Sequence, residues 1–494
     1  MLVGWRLPSI TGRQLLFLAA SYLFYAYWGI GFLSLLIISS LMNYACGYAL
    51  RRKVTTPRLA IGVALNLLPL AFFKYLPPLL EIGAAGPWHD LGRHIIMPLG
   101  MSFWTFQALS YLFDLYFEEE LDPTLLEFCL YMAFWPTVAS GPISRLPDML
   151  PQFRQSSRLD WGDLSTGSLR IVQGVAMKFV AAQILASGWR PGEGITAGFD
   201  QMRGGWGGVD VWLLGMGFGF LLFFDFAGYS HMVIGIARVF GIRLPENFDR
   251  PFLSTTPSIF WTRWHMSLSF WIRDYVFSPL AAAGRRYTWW PYVGLVVSMT
   301  LFGLWHGAKW TFIAYGVYHG LVLVVHRLGQ QMKRRLPVRV PGSLGALLAW
   351  ATTFAAVSVG FILFRANDWT QAWTMLTTIV TPAAYGRFAM PSNFYLLTVA
   401  VAVSYFAVSM GRSLVVVWRA RYRETIGARR EPADQWSVTV ASGPLIIGAV
   451  SEFLGGRLWW WFAPALGVLA FWAGLVIHTR RSGIAITPFA YTLF

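Results

Sequence analysis

QLLFLAASYLFYAYWGIGFLSLLIISSLMNYACGYAL (14–50) holds no charged residue, and Arg13 and Arg51 bound it. A membrane-spanning helix needs about 20 predominantly apolar residues. This stretch is nearly twice that long, so it predicts two spanning helices with a break near Trp28-Gly29-Ile30-Gly31. It is too long for the core of a signal peptide and carries no clear cleavage site. Comparable runs recur outward from it to the C-terminus. The spacing predicts spans at about 14–28, 31–50, 59–76, 95–116, 126–143, 168–187, 209–240, 291–308, 310–326, 342–364, 393–411, 436–453 and 458–478. The expectation is an all-α integral membrane protein with about 11 to 13 transmembrane and re-entrant helices. Residues 1–494 read as one polytopic membrane domain with no fixed-period internal repeat.

Composition points the same way. The chain is 56% hydrophobic and 13% charged, against about 25% charged in a soluble domain. Its net charge of +16 would raise nucleic acid as a partner in a soluble protein. Here the basic residues cluster between apolar runs, at Arg51, Arg52, Lys53 and Arg58, at Arg327, Lys333, Arg334, Arg335 and Arg339, and at Arg412, Arg419, Arg421, Arg423, Arg429 and Arg430. That is a positive-inside pattern, which places these segments in the cytoplasm as loops. Membrane lipid is the expected partner of this charge, and nucleic acid is not. The acidic stretch Glu118, Glu119, Glu120 and Asp122 is expected outside the cytoplasm, and 145–166 reads as a solvated polar loop. Cys46 and Cys129 sit in apolar runs and read as small buried hydrophobes, with no zinc or disulfide pattern.

The segment 255–282, which opens TTPSIFWTRWHMSLSFWIRDYVFSPL (255–280), breaks the pattern. It mixes Arg263, His265, Arg273 and Asp274 with five aromatic residues between 260 and 271 and has no run long enough to span. An amphipathic helix in the interface or lining a protein cavity fits it. At 100° per residue, His265, Ser269 and Arg273 share one stripe, facing either headgroups or a polar cavity.

Ionisable groups inside membrane segments are functional candidates. Of eight histidines, His89, His94, His326 and His478 lie at loops or span ends. His231, His265, His306 and His319 remain. His306, in MTLFGLWHGAKWTF (299–312), falls near a span end or a break at Gly307. A buried neutral imidazole can act as a general base, or it can simply bridge helices by a hydrogen bond. On a continuous helix His319 would lie about 20 Å from His306, so it reads as structural unless the helix breaks. No G-x-S-x-G elbow, P-loop or H-E-x-x-H zinc motif is present.

Three blocks then carry a resemblance: FFDFAGYSHMVIGIARVFGIRLPENFDRPFLS (223–254), FWTRWHMSLSFWIRDYVFSPL (260–280) and LFGLWHGAKWTFIAYGVYHG (301–320). PLGMSFWTFQALSYLFDLY (98–116) and WPTVASGPISR (135–145) support them. Together they resemble the membrane-bound O-acyltransferase family in its bacterial polysaccharide-modifying branch, with the signature core over about 95–365. The resemblance implies a ring of helices around a central cavity or tunnel, multi-pass in the bacterial cytoplasmic (inner) membrane. It implies His306 as the catalytic histidine and His265 as the second active-site residue. Trp305, Trp264, Ser269, Arg273, Asp225 and Asn247 fall in the same blocks and are expected to bind substrate or line the cavity.

The implied reaction moves an acyl group, acetyl first, from a cytoplasmic donor to hydroxyls of an extracytoplasmic polysaccharide or of a partner transferase. No cofactor is expected to be tightly bound. The donor would be acetyl-CoA or an acyl-carrier protein thioester. D-alanyl transfer from a carrier protein toward teichoic acid is the second reading, and WHMSLSFWIRDYVF (264–277) leans toward it while GLWHGAKWTF (303–312) leans toward acetyl transfer. Two departures stand out. Sequences of the alginate-acetylating type usually carry an acidic residue where this chain has His231, and they usually have a further hydrophobic segment ahead of the one at residue 14. Outside the enzymes, a transporter or flippase would use Asp114, Asp225 and the histidines as a substrate path, but no repeat halves are visible. A scaffold that anchors an extracytoplasmic transferase is a further alternative.

Overall fold

The computed structural model describes residues 9–81, 86–117, 120–155, 160–188, 192–201, 204–335 and 342–425. The chain divides into two compact units, Met1–Val399 and Ala400–Phe494. In the second unit, the described residues 400–425 are helical throughout. The expected spans at 436–453 and 458–478, with Arg429, Arg430 and His478, lie outside the described residues.

The helices are α1 (Ile10–Ala26), α2 (Ile30–Arg52), α3 (Thr56–Leu80), α4 (Pro87–His94), α5 (Met101–Tyr116), α6 (Leu125–Ala133) and α7 (Leu146–Phe153). Next come α8 (Trp161–Ser187), which contains a π-helical turn at Met177–Ala182, α9 (Ile195–Asp200), α10 (Gly208–Val239), α11 (Pro257–Trp261) and α12 (Met266–Ile272). The chain runs from α12 through a second π-helical turn, Arg273–Phe277, into α13 (Ser278–Ala283). The last are α14 (Trp290–His306), α15 (Trp310–Arg335), α16 (Gly342–Arg365), α17 (Trp369–Val380) and α18 (Ser392–Thr425). Among the described residues seven helices are long and apolar enough to cross a membrane: Ile30–Arg52, Thr56–Leu80, Trp161–Ser187, Gly208–Val239, Trp310–Met332, Leu344–Arg365 and Ser392–Gly411. The described residues hold no β-strand, only an isolated antiparallel bridge between Phe248 and Trp264.

α10 organises the first unit. Its apolar residues are spread round the whole helix, which suits one surrounded by protein. It packs most heavily on α8 and also on α16. The expected break near Trp28–Gly31 falls between α1 and α2, and a side-chain cap from Ser9 to the Gly12 amide starts α1.

Four expectations need correction. The stretch expected as a solvated loop, 145–166, holds α7, which buries Leu146, Met149, Leu150 and Phe153, and the start of α8 at Trp161. The span predicted at 126–143 is helical only to Ala133. Pro136 and the pair Gly141-Pro142 cannot continue a helix, and residues 136–144 fold into buried turns instead. Asp122, the last residue of the acidic stretch, does not lie opposite the first basic cluster. It pairs with Arg51, and the Thr56 and Tyr116 hydroxyls meet at 3.0 Å, so Asp122 and Arg51 share one end of the helices. Opposite charges gain by that proximity, and acidic residues contribute little to membrane orientation. Finally, Arg51, Arg52, Arg327, Arg334 and Arg335 extend helix ends rather than forming loops. A helix C-terminus favours cations, because its last carbonyls present partial negative charge.

Candidate active site

The site begins with a turn. After α11, the backbone at His265 takes φ 42° and ψ 54°. This left-handed conformation costs an L-residue roughly 1–2 kcal/mol. Such strain persists where surrounding structure over-determines it. Here the clasp is Asn247, which is fully buried. Its carbonyl accepts from the Met266 amide at 2.9 Å, and its side-chain oxygen accepts from the Ser267 hydroxyl at 2.6 Å. Its amide nitrogen donates to Ser230 Oγ on α10 at 3.1 Å. Ser267 Oγ also accepts from the Ile143 amide at 3.0 Å, which ties in the turns of 134–144. Ser269 Oγ donates to the Trp264 carbonyl at 2.9 Å and closes the turn. Asn247→Leu removes the partners of Ser230 and Ser267 at once. Each buried group left unsatisfied costs about 1–3 kcal/mol. A drop in thermal stability with a fall in activity is therefore expected, and an unchanged melting temperature in detergent would contradict this clasp.

Held in this way, the His265 side chain is buried and meets the Phe226 ring edge-on at 4.6 Å. Its Nε2 has no hydrogen-bond partner. The Trp305 ring stands 5.9 Å away and the Phe302 ring 6.4 Å.

Trp305 and His306 end α14. That helix stops because Gly307 adopts φ 158° and ψ −178°, a region essentially reserved for glycine. The chain then turns back as α15, and the two helices form one of the most closely packed pairs in the molecule. The approach is backbone to backbone. A Cβ on Gly303 would stand 2.2 Å from the Phe312 carbonyl oxygen, and one on Gly316 2.3 Å from the Met299 carbonyl oxygen. Small residues permit such contact between membrane helices.

The hairpin buries His306 in an aromatic cage. Its ring centroid lies 4.6 Å from Trp305, 4.9 Å from Phe364, 5.3 Å from Phe302 and 6.4 Å from Tyr315. The break also returns His319 toward the site, as Tyr315 stacks edge-on with it at 4.7 Å. His319 is buried against Trp261 and beside Gly360, where any Cβ would overlap its ring. Its surroundings are those of a packing residue.

α3 contributes a lysine outside the residues singled out in the sequence. Lys74 is buried, donates to Ser102 Oγ at 3.3 Å and lies 5.1 Å from the Trp305 ring. Lys74 and His265 are among the groups close enough to act electrostatically on His306. The available signal was a single charge inside the apolar run 59–76. Beside it, the Tyr75 hydroxyl donates to the Leu304 carbonyl at 2.8 Å and fixes α3 to the end of α14.

The structure therefore brings His265, His306 and Trp305 together. Trp264 is buried behind them against Phe248, Phe260 and Phe361, and Asn247 and Ser269 shape the His265 turn without reaching past it. Two other residues expected at the cavity have ion-pair partners of their own. Arg273 has a side chain 56% exposed and pairs with Asp274 at 2.6 Å. The helical step of the predicted His265–Ser269–Arg273 stripe is kept, since the Ser269 amide donates to the His265 carbonyl and the Arg273 amide to the Ser269 carbonyl, but His265 is buried while Arg273 is exposed. Asp225 is buried, but it pairs with Lys178 of α8, which the π-helical turn carries. His231 joins another polar cluster, where Arg170 donates to it at 3.3 Å and grips Glu246 with both terminal nitrogens. Among the described residues no group of His, Cys, Asp and Glu is arranged to hold a metal ion.

Two buried histidines thus lie beside a broken helical hairpin in a polytopic helical protein. Residues 17–366 match the membrane-bound O-acyltransferase family, and the chain belongs to it. It is 34% identical over 377 residues to a probable alginate O-acetylase of Azotobacter vinelandii, covering 74% of this chain and 72% of that one. It is 31% identical over 395 residues to a peptidoglycan O-acetyltransferase of Helicobacter pylori, covering 73% and 72%. It is also 31% identical over 333 residues to a teichoic acid D-alanyltransferase of Bacillus subtilis, covering 64% and 80%. The chain is a multi-pass membrane acyltransferase.

Proposed function

We propose that the chain transfers acetyl groups from a cytoplasmic thioester to hydroxyls of an extracytoplasmic polysaccharide, or to a partner transferase that serves it, with His306 as general base. The observation that carries this reading is the burial of His306 at the hairpin break, beside the Trp305 ring that His265 also faces. A sugar hydroxyl is a poor nucleophile, and a positioned base contributes typically about 10²–10⁴-fold. His265, with Nε2 unpartnered, suits orientation of the donor carbonyl. Exclusion of water by the aromatic cage limits hydrolysis of the donor. Acetyl-CoA or an acyl-carrier protein thioester is the donor, and no cofactor stays bound. The basic helix ends support a cytoplasmic side for those termini, with the bacterial inner membrane as the site of action.

The acetyl reading is supported by the two O-acetylating relatives, which align with 73–74% of this chain. The D-alanyl reading remains the second, supported by the teichoic acid relative over 64%. Mass spectrometry of the envelope polymers, from cells with and without the gene, separates them. Loss of O-acetyl esters is expected, whereas loss of D-alanyl esters would replace the first reading by the second.

A further inference from the structure

Lys74 has no part in the reaction outlined above, yet its position is costly. A buried charge is normally paired, because taking an ion out of water is expensive. Lys74 is only 9% exposed, and its hydrogen bond goes to a neutral hydroxyl, Ser102 Oγ at 3.3 Å. Among the described residues no ion pair includes it. An ammonium carries three donors, and one hydroxyl does not use them. Nearby, Trp305 Nε1 and His265 Nε2 are also buried without hydrogen-bond partners. Donor capacity thus converges around the His306 ring from three elements: α3, the His265 turn and the end of α14.

We propose that Lys74 is a further catalytic residue, whose ammonium stabilises the oxyanion formed on the acyl carbonyl, with Trp305 Nε1 as a second donor. The proposal rests on the reading of His306 as the base. In the addition step the acceptor oxygen bonds to the thioester carbonyl carbon, its proton passes to His306, and the carbonyl π electrons move to oxygen beside Lys74. In the collapse step those electrons re-form the carbonyl, the carbon–sulfur bond breaks, and the departing thiolate takes the proton from His306. Charge is conserved throughout, and the only co-reactant is the thioester. A preorganised cation in a water-excluded site acts on charge that appears only in the transition state, so it raises turnover rather than affinity.

The test uses membrane vesicles of the producing strain with acetyl-CoA as donor probe, and reads incorporation of acetyl into polymer. Wild-type vesicles that incorporate acetyl neither from acetyl-CoA nor from an acetyl-carrier-protein thioester would overturn the acetyl reading itself, and His306→Ala serves as its control. With wild type active, Lys74→Met is expected to lower the maximal rate by about 10²-fold and to leave KM for acetyl-CoA within about threefold. Its melting temperature in detergent should be no lower than wild type, because an apolar side chain in place of an unpaired buried charge is neutral or stabilising. Lys74→Arg, which keeps the cation, is expected to retain more of the rate than Lys74→Met. A rate for Lys74→Met within threefold of wild type overturns the proposal. So does a change confined to KM, and so does a rate loss that comes with a lower melting temperature and is not relieved by arginine.

Discussion

His306→Ala is expected to lower acyl transfer by up to about 10⁴-fold, the full contribution of a positioned general base, while the protein still inserts and stays folded. The aromatic cage explains why the two effects separate. Phe302, Trp305, Phe312, Tyr315 and Phe364 contact one another as well as the His306 ring, so the cage persists without the imidazole. The helix ends at Gly307 for backbone reasons that the substitution does not touch. Ester content of the envelope polymer reads the activity, and membrane yield with thermal unfolding reads the fold. Normal ester content in cells carrying this variant would remove His306 from the mechanism.

Gly303→Val is expected to act in the opposite order, on the fold first and on activity through it. The new Cβ would meet the Phe312 carbonyl oxygen at 2.2 Å and the Gly316 backbone at 3.0 Å. Neither is the end of a flexible side chain that could swing away. The α14–α15 hairpin must open, at a cost on the order of 3 kcal/mol. His306 lies one turn beyond, so its distance to His265 and Trp305 changes with the opening. A markedly lower melting temperature and a loss of ester product should appear together. A variant with wild-type melting would mean that the two helices do not approach backbone to backbone.

Most spanning helices were legible because they are written as long apolar runs. The run 14–50 predicts a break that appears between Ala26 and Ile30. Where the reading went astray, the cause was local backbone chemistry that hydropathy ignores. Residues 126–143 are apolar enough to span, but Pro136 and Pro142 end the helix early. The amphipathic stripe through His265, Ser269 and Arg273 assumed a uniform 100° step. That step holds from His265 to Arg273, but the two ends differ in burial, and nothing in the residue types announces the left-handed turn before the helix or the π-helical turn after it. The resemblance pointed to His265 and His306, and the structure places both rings against Trp305. Lys74 stood outside the quoted blocks, so only its contacts with Ser102 and Trp305 connect it to them.

The clasp at Asn247 also bears on how the protein is made. A ribosome delivers the chain from its N-terminus, and membrane helices enter lipid before later ones exist. Ser230, Asn247 and Ser267 lie within one stretch of sequence, and all three emerge ahead of the α14–α15 hairpin. Their polar atoms can satisfy one another as soon as that stretch leaves the translocation machinery. The turn at His265 therefore needs no help from Trp305 or His306 to form, and biogenesis need not hold unpaired polar groups in lipid while the rest of the site is synthesised.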